Sequence, residues 1–122
     1  HRAFDRCKDP FKALEDLIKI GCQRILTSGQ QPAAPDGKDM IRDLITEADS
    51  RIVIMPGSGV RKENIKMLAE HTGAVEFHSS LRGKIKSRMN FIHPAFASSA
   101  ESYSNNFIDP AEVSALRQAL EA

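Results

Sequence analysis

Apolar residues along this chain switch repeatedly between helical spacing and short extended runs. Helical spacing predicts helices over about residues 10–20, 40–48 and from near Val60 to Gly73. Between them, short apolar runs predict strands at 24–27, 52–55 and 74–78. Asp109-Pro110 predicts the start of a final helix. Strict alternation of strand and helix predicts an α/β fold with parallel strands and right-handed crossovers.

The chain carries no clear periodicity between its last predicted strand and its last predicted helix. Ser, Asn, Gly and Pro with scattered Phe predict an irregular loop region over residues 81–108. We expect residues 1–122 to form one domain. Two architectures fit the repeating unit, a small open sheet covered by helices or part of a (β/α)8 barrel. The periodicity alone does not separate them.

One strand ends in a turn whose composition bears on function. The run 51–55 leads into Pro56, Gly57, Ser58 and Gly59. Because glycine has no Cβ, backbone N–H groups can approach a bound anion closely at such a turn, and a helix starting nearby adds its positive dipole end. A tight turn that needs glycine only for its bend explains the same residues.

Composition narrows the class of protein. The net charge is +1, and the basic cluster 82–88 lacks interleaved aromatic residues, which argues against nucleic-acid binding. No apolar stretch approaches the ~20 residues that span a bilayer, so we expect no membrane partner. The two cysteines, Cys7 and Cys22, are too few for a disulfide framework. We read them as reduced thiols and expect a cytoplasmic protein.

Several short motifs, in order and spacing, resemble those of the CutC family. They are His1-Arg2-Ala3-Phe4-Asp5, Leu26-Thr27-Ser28-Gly29, Ile54-Met55-Pro56-Gly57-Ser58-Gly59 and Glu76-Phe77-His78-Ser79-Ser80. The resemblance covers residues 1 to about 80. The family commonly has a second glycine where this chain has Ser58, whose hydroxyl could itself donate a hydrogen bond.

The resemblance implies a fold and a cellular role. It implies a (β/α)8 TIM barrel of which this chain covers about the C-terminal half, from the end of strand 5 to helix 8. It also implies a cytoplasmic copper homeostasis protein, with copper as a possible ligand. In such a barrel, the strand-end motifs would lie on the face where active sites form.

Candidate acid and base groups occur in the last predicted strand. Alternation places Val75 and Phe77 on one face, toward the helices, and Glu76 and His78 on the other. A carboxylate and an imidazole on one strand can act as general acid and base or help hold a cation. A hydrogen-bonded pair in a buried polar layer explains them equally well.

A second polar cluster opens the chain. Arg2 could clamp a phosphate or carboxylate, and Asp5 could orient His1 or pair with Arg2. A structural ion pair at the strand end is the alternative. Ser28 could offer a hydroxyl to a substrate or serve only its turn. The candidate catalytic residues are therefore His1, Glu76 and His78, and the candidate anion-binding residues are Arg2, Ser28, Gly57, Ser58 and Gly59.

The residues themselves offer no recognisable copper site. Cu(I) prefers converging thiolate and thioether ligands, whereas Cys7 and Cys22 flank a helix with a rise of roughly 16 Å. The methionines are not clustered, and no histidine pair has a recognisable metal-binding spacing. The metal-binding residues are thus unknown, and copper rests on the resemblance alone.

Three functions remain open for this chain. The leading one, by resemblance, is copper homeostasis. The second is an enzyme of unknown specificity that acts on a small anionic or phosphorylated metabolite. The third is an incomplete barrel with an assembly role, since a half barrel exposes strand edges and should form a homo-oligomer or pair with the missing half.

Overall fold

A computed structural model gives the fold and describes residues 1–98 and 103–122. A 3-10 turn at Phe4–Arg6 comes first. The helices are α1 (Pro10–Lys19), α2 (Lys38–Ala48), α3 (Ile65–Thr72) and α4 (Pro110–Glu121). The strands are β1 (Arg24–Thr27), β2 (Val53–Pro56), β3 (Arg82–Lys86) and β4 (Ser104–Ile108), with a further 3-10 turn at Pro94–Phe96. The architecture is mixed α/β. The parallel pair β1–β2 has the predicted orientation, whereas the antiparallel pair β3–β4 departs from the predicted alternation of parallel strands and helices.

The centre of the molecule is a parallel pair of strands. β1 and β2 pair in register from Arg24 opposite Val53 to Thr27 opposite Pro56. Residues of alternating position, Ile25 and Ile54, point toward the helices and are almost fully buried. The helices pack over that face and supply most of the core, which comprises Leu14, Ile25, Ala34, Ile41, Leu44, Ala48, Ile52, Ile54, Val60, Ile65 and Leu68.

The opposite face of the β1–β2 pair is only partly covered. Leu26 is 41% exposed, and Val53 and Met55 are half-buried. Parallel sheets are ordinarily covered on both faces, so this face is more exposed than is usual for parallel strands.

Capping residues explain why α1 and α4 begin where predicted. The side chains of Asp9 and Asp109 accept hydrogen bonds from backbone N–H groups of the first helical turn, and proline follows each of them. The prediction for α3 was less accurate. It begins at Ile65, not near Val60, because residues 61–64 form turns and Asn64 occupies the position before the helix.

The strand predicted at 74–78 is absent from the described structure. Only His78 N–H bonds to the neighbouring strand, at 2.9 Å from the carbonyl oxygen of Pro56. Phe77 packs against the core as predicted, but Val75 is 81% exposed. The segment runs beside β2 without forming a ladder, so alternation does not fix its side-chain directions.

The stretch 81–108, predicted to be irregular, contains two strands. β3 and β4 pair antiparallel, from Arg82 opposite Ile108 to Lys86 opposite Ser104. Charged and polar residues that alternate with few apolar ones mask this hairpin in the sequence. Residues 99–102 of the predicted loop lie outside the described residues.

Across the described residues, no helix is long and apolar enough to cross a membrane.

Candidate ligand-binding site

A cavity of about 430 Å³ lies at the carboxyl ends of β1 and β2. In α/β folds, ligands bind at this edge of the parallel strands. The cavity is lined by His1, Arg2, Asp5, Leu26, Thr27, Ser28, Gly57, Ser58, Gly59, Val60, Arg61, His78, Ser79, Ser80 and Arg82. It therefore brings together every candidate site residue predicted from the sequence except Glu76.

Asp5 organises the loop that follows β1. Its Oδ1 accepts hydrogen bonds from Thr27 Oγ1 at 2.5 Å and from the backbone N–H of Ser28 at 3.0 Å, and Gln30 N lies 3.4 Å away. Its Oδ2 lies 3.0 Å from Ser28 Oγ. The Asp5 side chain is 8% exposed. The sequence predicts only that Asp5 orients His1 or pairs with Arg2, whereas its contacts in the structure link the first residues of the chain to β1.

These contacts determine the charge state of Asp5. Burial raises the pKa of the Asp5 carboxyl, but hydrogen bonds from Thr27, Ser28 and Gln30 outweigh burial and leave the pKa below its usual value. Asp5 is therefore an anion at neutral pH, and hydrogen-bond donors of the protein itself occupy its carboxylate oxygens.

Arg2 is largely engaged by the protein. Its guanidinium contacts Asp5 Oδ2 at 3.3 Å, and it donates to the carbonyls of Gln31 at 2.6 Å and Pro32 at 3.1 Å. It also contacts the hydroxyl of Ser28. The ion pair considered from the sequence is present, and these bonds occupy most of the donors that a clamped anion would need.

Ser28 is likewise committed to the loop. Its side chain is buried, and its hydroxyl contacts Asp5, Arg2 and the carbonyl of Gln31. It lines the cavity, but its hydroxyl is used to hold the turn.

The turn after β2 packs closely yet leaves donors available. A Cβ on Gly57 would lie 2.4 Å from Leu26 Cδ1, so only glycine fits without movement of that side chain. Ser58 has a φ of 75°, and its hydroxyl donates to the Pro32 carbonyl at 2.9 Å. Within residues 1–98 and 103–122, no acceptor bonds the backbone N–H groups of Ser58, Gly59 or Val60.

Two arginines on the cavity wall are not engaged in ion pairs. Arg61 and Arg82 are exposed, and neither guanidinium has a carboxylate partner within the part of the chain that the structure describes. No motif in the sequence singles out Arg61, and Arg82 is distinguished there only as part of the basic cluster 82–88. Its position two residues after Gly59 is the signal that could have identified Arg61.

The two candidate histidines both line the cavity. The ring of His78 is exposed, and its backbone anchors it to the end of β2 through Pro56. His1 Nδ1 accepts a hydrogen bond from the backbone N–H of Ala3 at 3.2 Å. Both imidazoles are placed where a proton could be exchanged with a bound molecule.

Glu76 does not line the cavity. Its carboxylate makes two hydrogen bonds to the guanidinium of Arg24, at 2.6 and 3.1 Å, at the start of β1. Hydrogen bonding to Arg24 lowers the pKa of Glu76 despite the opposing effect of desolvation. The structure thus separates Glu76 from His78, the residue with which the sequence paired it.

The donors present do not fit a copper site. Among the described residues, no group of three His, Cys, Asp or Glu side chains lies close enough to hold a metal ion. Cys7 precedes α1 and Cys22 follows it, and each thiol is free. Within residues 1–98 and 103–122, the cysteines and histidines therefore do not form the kind of three-ligand group that a copper ion needs.

The fold and the cavity together define an α/β protein with a candidate site at the carboxyl ends of its parallel strands. The sequence pattern of the CutC family matches residues 1–83, more than half of the chain. The chain belongs to the CutC family.

Individual relatives agree with this assignment. A CutC protein of Parabacteroides distasonis is 56% identical over 91 residues, which cover 75% of this chain and 37% of the relative. A CutC protein of Chromobacterium violaceum is 42% identical over 124 residues, covering 99% of this chain and 50% of the relative. The chain thus spans at most about half the length of the curated relatives it matches.

A solved structure is also similar. The crystal structure of a CutC protein from Streptococcus agalactiae, named for copper homeostasis, matches with a TM-score of 0.60 and 33% identity. The match covers 64% of this chain and 39% of that one. It supports assignment of the chain to a copper homeostasis family.

Proposed function

We propose that the cavity binds a small anionic metabolite, phosphorylated or carboxylated, and that the protein acts on it as an enzyme. One observation carries the proposal. Arg61 and Arg82 line the cavity without carboxylate partners in the described residues, beside a turn with unbonded N–H groups. Asp5, the carboxylate in the lining, is surrounded by internal donors and does not neutralise them. Guanidinium and backbone N–H groups are the common ligands of bound anions.

The proposal assigns a separate role to each group of residues around the cavity. Arg61, Arg82 and the N–H groups of Ser58 and Gly59 bind the anion. His78, with His1, exchanges protons with the bound molecule. Arg2 and Ser28, which sequence reasoning assigned to ligand binding, position the loop on which the cavity depends. Glu76 takes no part in catalysis, because Arg24 holds it elsewhere.

Calorimetric titration with inorganic phosphate and with fructose 6-phosphate tests the binding step. Arg61→Gln should weaken binding by about 10- to 100-fold, since a hydrogen bond to a charged group contributes about 1.5–3 kcal/mol. Arg117→Gln, on the exposed surface of α4, is the matched control and should bind as the parent does. Equal binding by the two variants would refute the assignment of Arg61.

Copper homeostasis is the second proposed role, and it rests on the family. We propose it as the cellular process in which the protein takes part. Direct copper binding is a separate hypothesis, because the thiols of Cys7 and Cys22 belong to no group of three metal-binding side chains among the described residues. Competition of the protein with bicinchoninate for Cu(I) tests it. Uptake of one equivalent that Cys7→Ser/Cys22→Ser abolishes would support binding by these thiols, and unchanged uptake would exclude them.

We further propose that residues 1–122 form about the C-terminal half of a (β/α)8 barrel in the cytoplasm. The relatives' greater length and the partly covered face of β1 and β2 support the barrel. The free thiols support the location. That face would be covered by the missing strands or by a second copy. Sedimentation tests this, because a stable monomer of 13.5 kDa would contradict it.

A further inference from the structure

The hairpin of β3 and β4 has two faces of different chemistry. Antiparallel partners share a face, and residues two apart on a strand return to it. The cationic face comprises Arg82, Lys84, Lys86, Ser104, Asn106 and Ile108. The other face carries Gly83, Ile85, Asn105 and Phe107, and a Cβ on Gly83 would lie only 2.7 Å from the Phe107 ring. The Phe107 ring therefore occupies the space over Gly83, on the face that carries no charged side chain.

The cationic face begins at the cavity. Arg82 lines the cavity, and Lys84 and Lys86 follow it on the same face. Alternate residues on a strand are about 7 Å apart, so the three charges lead away from the cavity at that interval. Arg82 thus joins the cavity to the two lysines on the same face of β3.

Nothing on the described surface neutralises these charges. Arg82, Lys84 and Lys86 are exposed, and none forms an ion pair with residues 1–98 or 103–122. Their cross-strand neighbours Asn106 and Ser104 are uncharged hydrogen-bonding groups. Cations at this spacing repel one another, and an anion placed between them would relieve the repulsion.

We infer that the ligand carries two anionic groups, one held in the cavity and the other on the cationic face of the hairpin. This inference rests on the proposed anion-binding function and extends it to a substrate class. Arg61 and Arg82 bind the first group, and Lys84 and Lys86 bind the second. A metabolite whose phosphoryl groups lie about 7 Å or more apart, such as a sugar bisphosphate, matches the interval between alternate strand residues.

The test compares fructose 6-phosphate with fructose 1,6-bisphosphate by calorimetry at fixed ionic strength, because long-range charge effects vary with salt. The purified protein should bind the bisphosphate at least about tenfold more tightly. Lys84→Gln/Lys86→Gln should remove that preference and leave binding of the monophosphate unchanged. Lys8→Gln/Lys19→Gln removes the same charge elsewhere on the surface and should keep the preference.

Each other result is decisive. Equal affinity of the parent protein for both ligands overturns the second subsite and leaves the proposed function standing. Lys84→Gln/Lys86→Gln could also weaken binding of the two ligands by the same factor. That result overturns the second subsite as well, because the lysines would then act only by long-range electrostatic attraction. The protein could also bind a long polyphosphate tightly while showing no preference between the two sugar phosphates. That result would overturn the inference, because it would indicate an extended polyanion as the ligand and not a small bisphosphate. If neither sugar phosphate binds but inorganic phosphate does, this inference fails and the anion site stands. If inorganic phosphate does not bind either, the phosphorylated ligand of the proposed function fails as well.

Discussion

The segment 1–80 and the hairpin of β3 and β4 are stabilised in different ways. In the first, buried residues of α1, α2 and α3 pack on one face of a parallel strand pair, and a nearly buried carboxylate ties its loops together. In the second, strand residues are exposed or half-buried and are held chiefly by pairing with each other. The family pattern covers residues 1–83 and ends within the hairpin. The comparison indicates that the core positions the cavity, whereas the hairpin adds charge to its rim.

The largest expected effect tests this division of stability. Leu44 in α2 is fully buried, so Leu44→Ala should lower the free energy of unfolding by about 2–5 kcal/mol. Ile85 on the hairpin is 49% exposed, and Ile85→Ala should cost less than about 1 kcal/mol. Urea denaturation measures both. Similar losses at the two sites would mean that the hairpin belongs to the same cooperative core.

The second prediction concerns Asp5, through which loop residues are joined to the core. Asp5→Asn removes a charged acceptor shared by Thr27, Ser28 and Arg2, and it should cost about 1–3 kcal/mol at neutral pH. Asp16→Asn, on the exposed surface of α1, changes the same groups and should cost far less. Equal losses of unfolding free energy in the two variants would show that the hydrogen bonds of Asp5 stabilise the protein no more than the contacts of an exposed aspartate.

The sign of the pH dependence follows from the same contacts. Because the pKa of Asp5 is lowered in the folded protein, its contribution is complete above the unfolded value, near about 3.9. That contribution is lost as the pH falls through the lower, folded pKa. The stability difference between the parent and Asp5→Asn should therefore shrink as the solution is acidified below about pH 4. A difference that stays constant down to the lowest pH at which the protein folds would contradict this assignment.

Local signals in the sequence predicted the structure correctly where contacts between residues close in sequence determine it. Asp9 and Asp109, each followed by proline, fix two helix starts, and β1 has the predicted bounds Arg24–Thr27. The same signals failed where the structure depends on hydrogen bonds between strands that are far apart in the sequence. Residues 74–78 have the composition of a strand, but a strand requires a ladder on a neighbour, and only one backbone bond to Pro56 forms.

The candidate site was predictable to a similar extent. Gly57 and His78, which come from two of the predicted strand-end motifs, both line one cavity. Gly57 follows β2 at the carboxyl edge of the parallel pair, whereas His78 is held there by its backbone bond to Pro56 and not by a strand. Alternation did not reveal that Glu76 pairs with Arg24, a residue 52 positions away in the sequence. Nor did it reveal that Arg82 reaches the cavity, since its strand pairs with residues 104–108 across a long connection.

The third prediction compares two glycines of the segment 1–80. Gly57→Ala brings a Cβ to 2.4 Å from the flexible tip of Leu26, so that side chain, which lines the cavity, must move. We expect weaker phosphate binding with a loss of about 1 kcal/mol or somewhat more in stability. Gly73→Ala meets no atom within 4 Å but is strained by a φ of 77°. It should cost about 1 kcal/mol as well and leave phosphate binding intact. Loss of binding in both variants would attribute the effect to stability alone.

The smallest effect on stability separates two residues of one segment. Glu76→Gln breaks a half-exposed ion pair, and such pairs contribute little, so the thermal midpoint should hardly change. Phosphate binding should also be unchanged, because Glu76 does not line the cavity. His78→Gln should be equally mild in stability, since the His78 ring is exposed, but it should reduce turnover of any anionic substrate found for the protein. A turnover loss from Glu76→Gln as large as that from His78→Gln would restore the carboxylate to the active site and show that the pairing with Arg24 gives way when substrate binds.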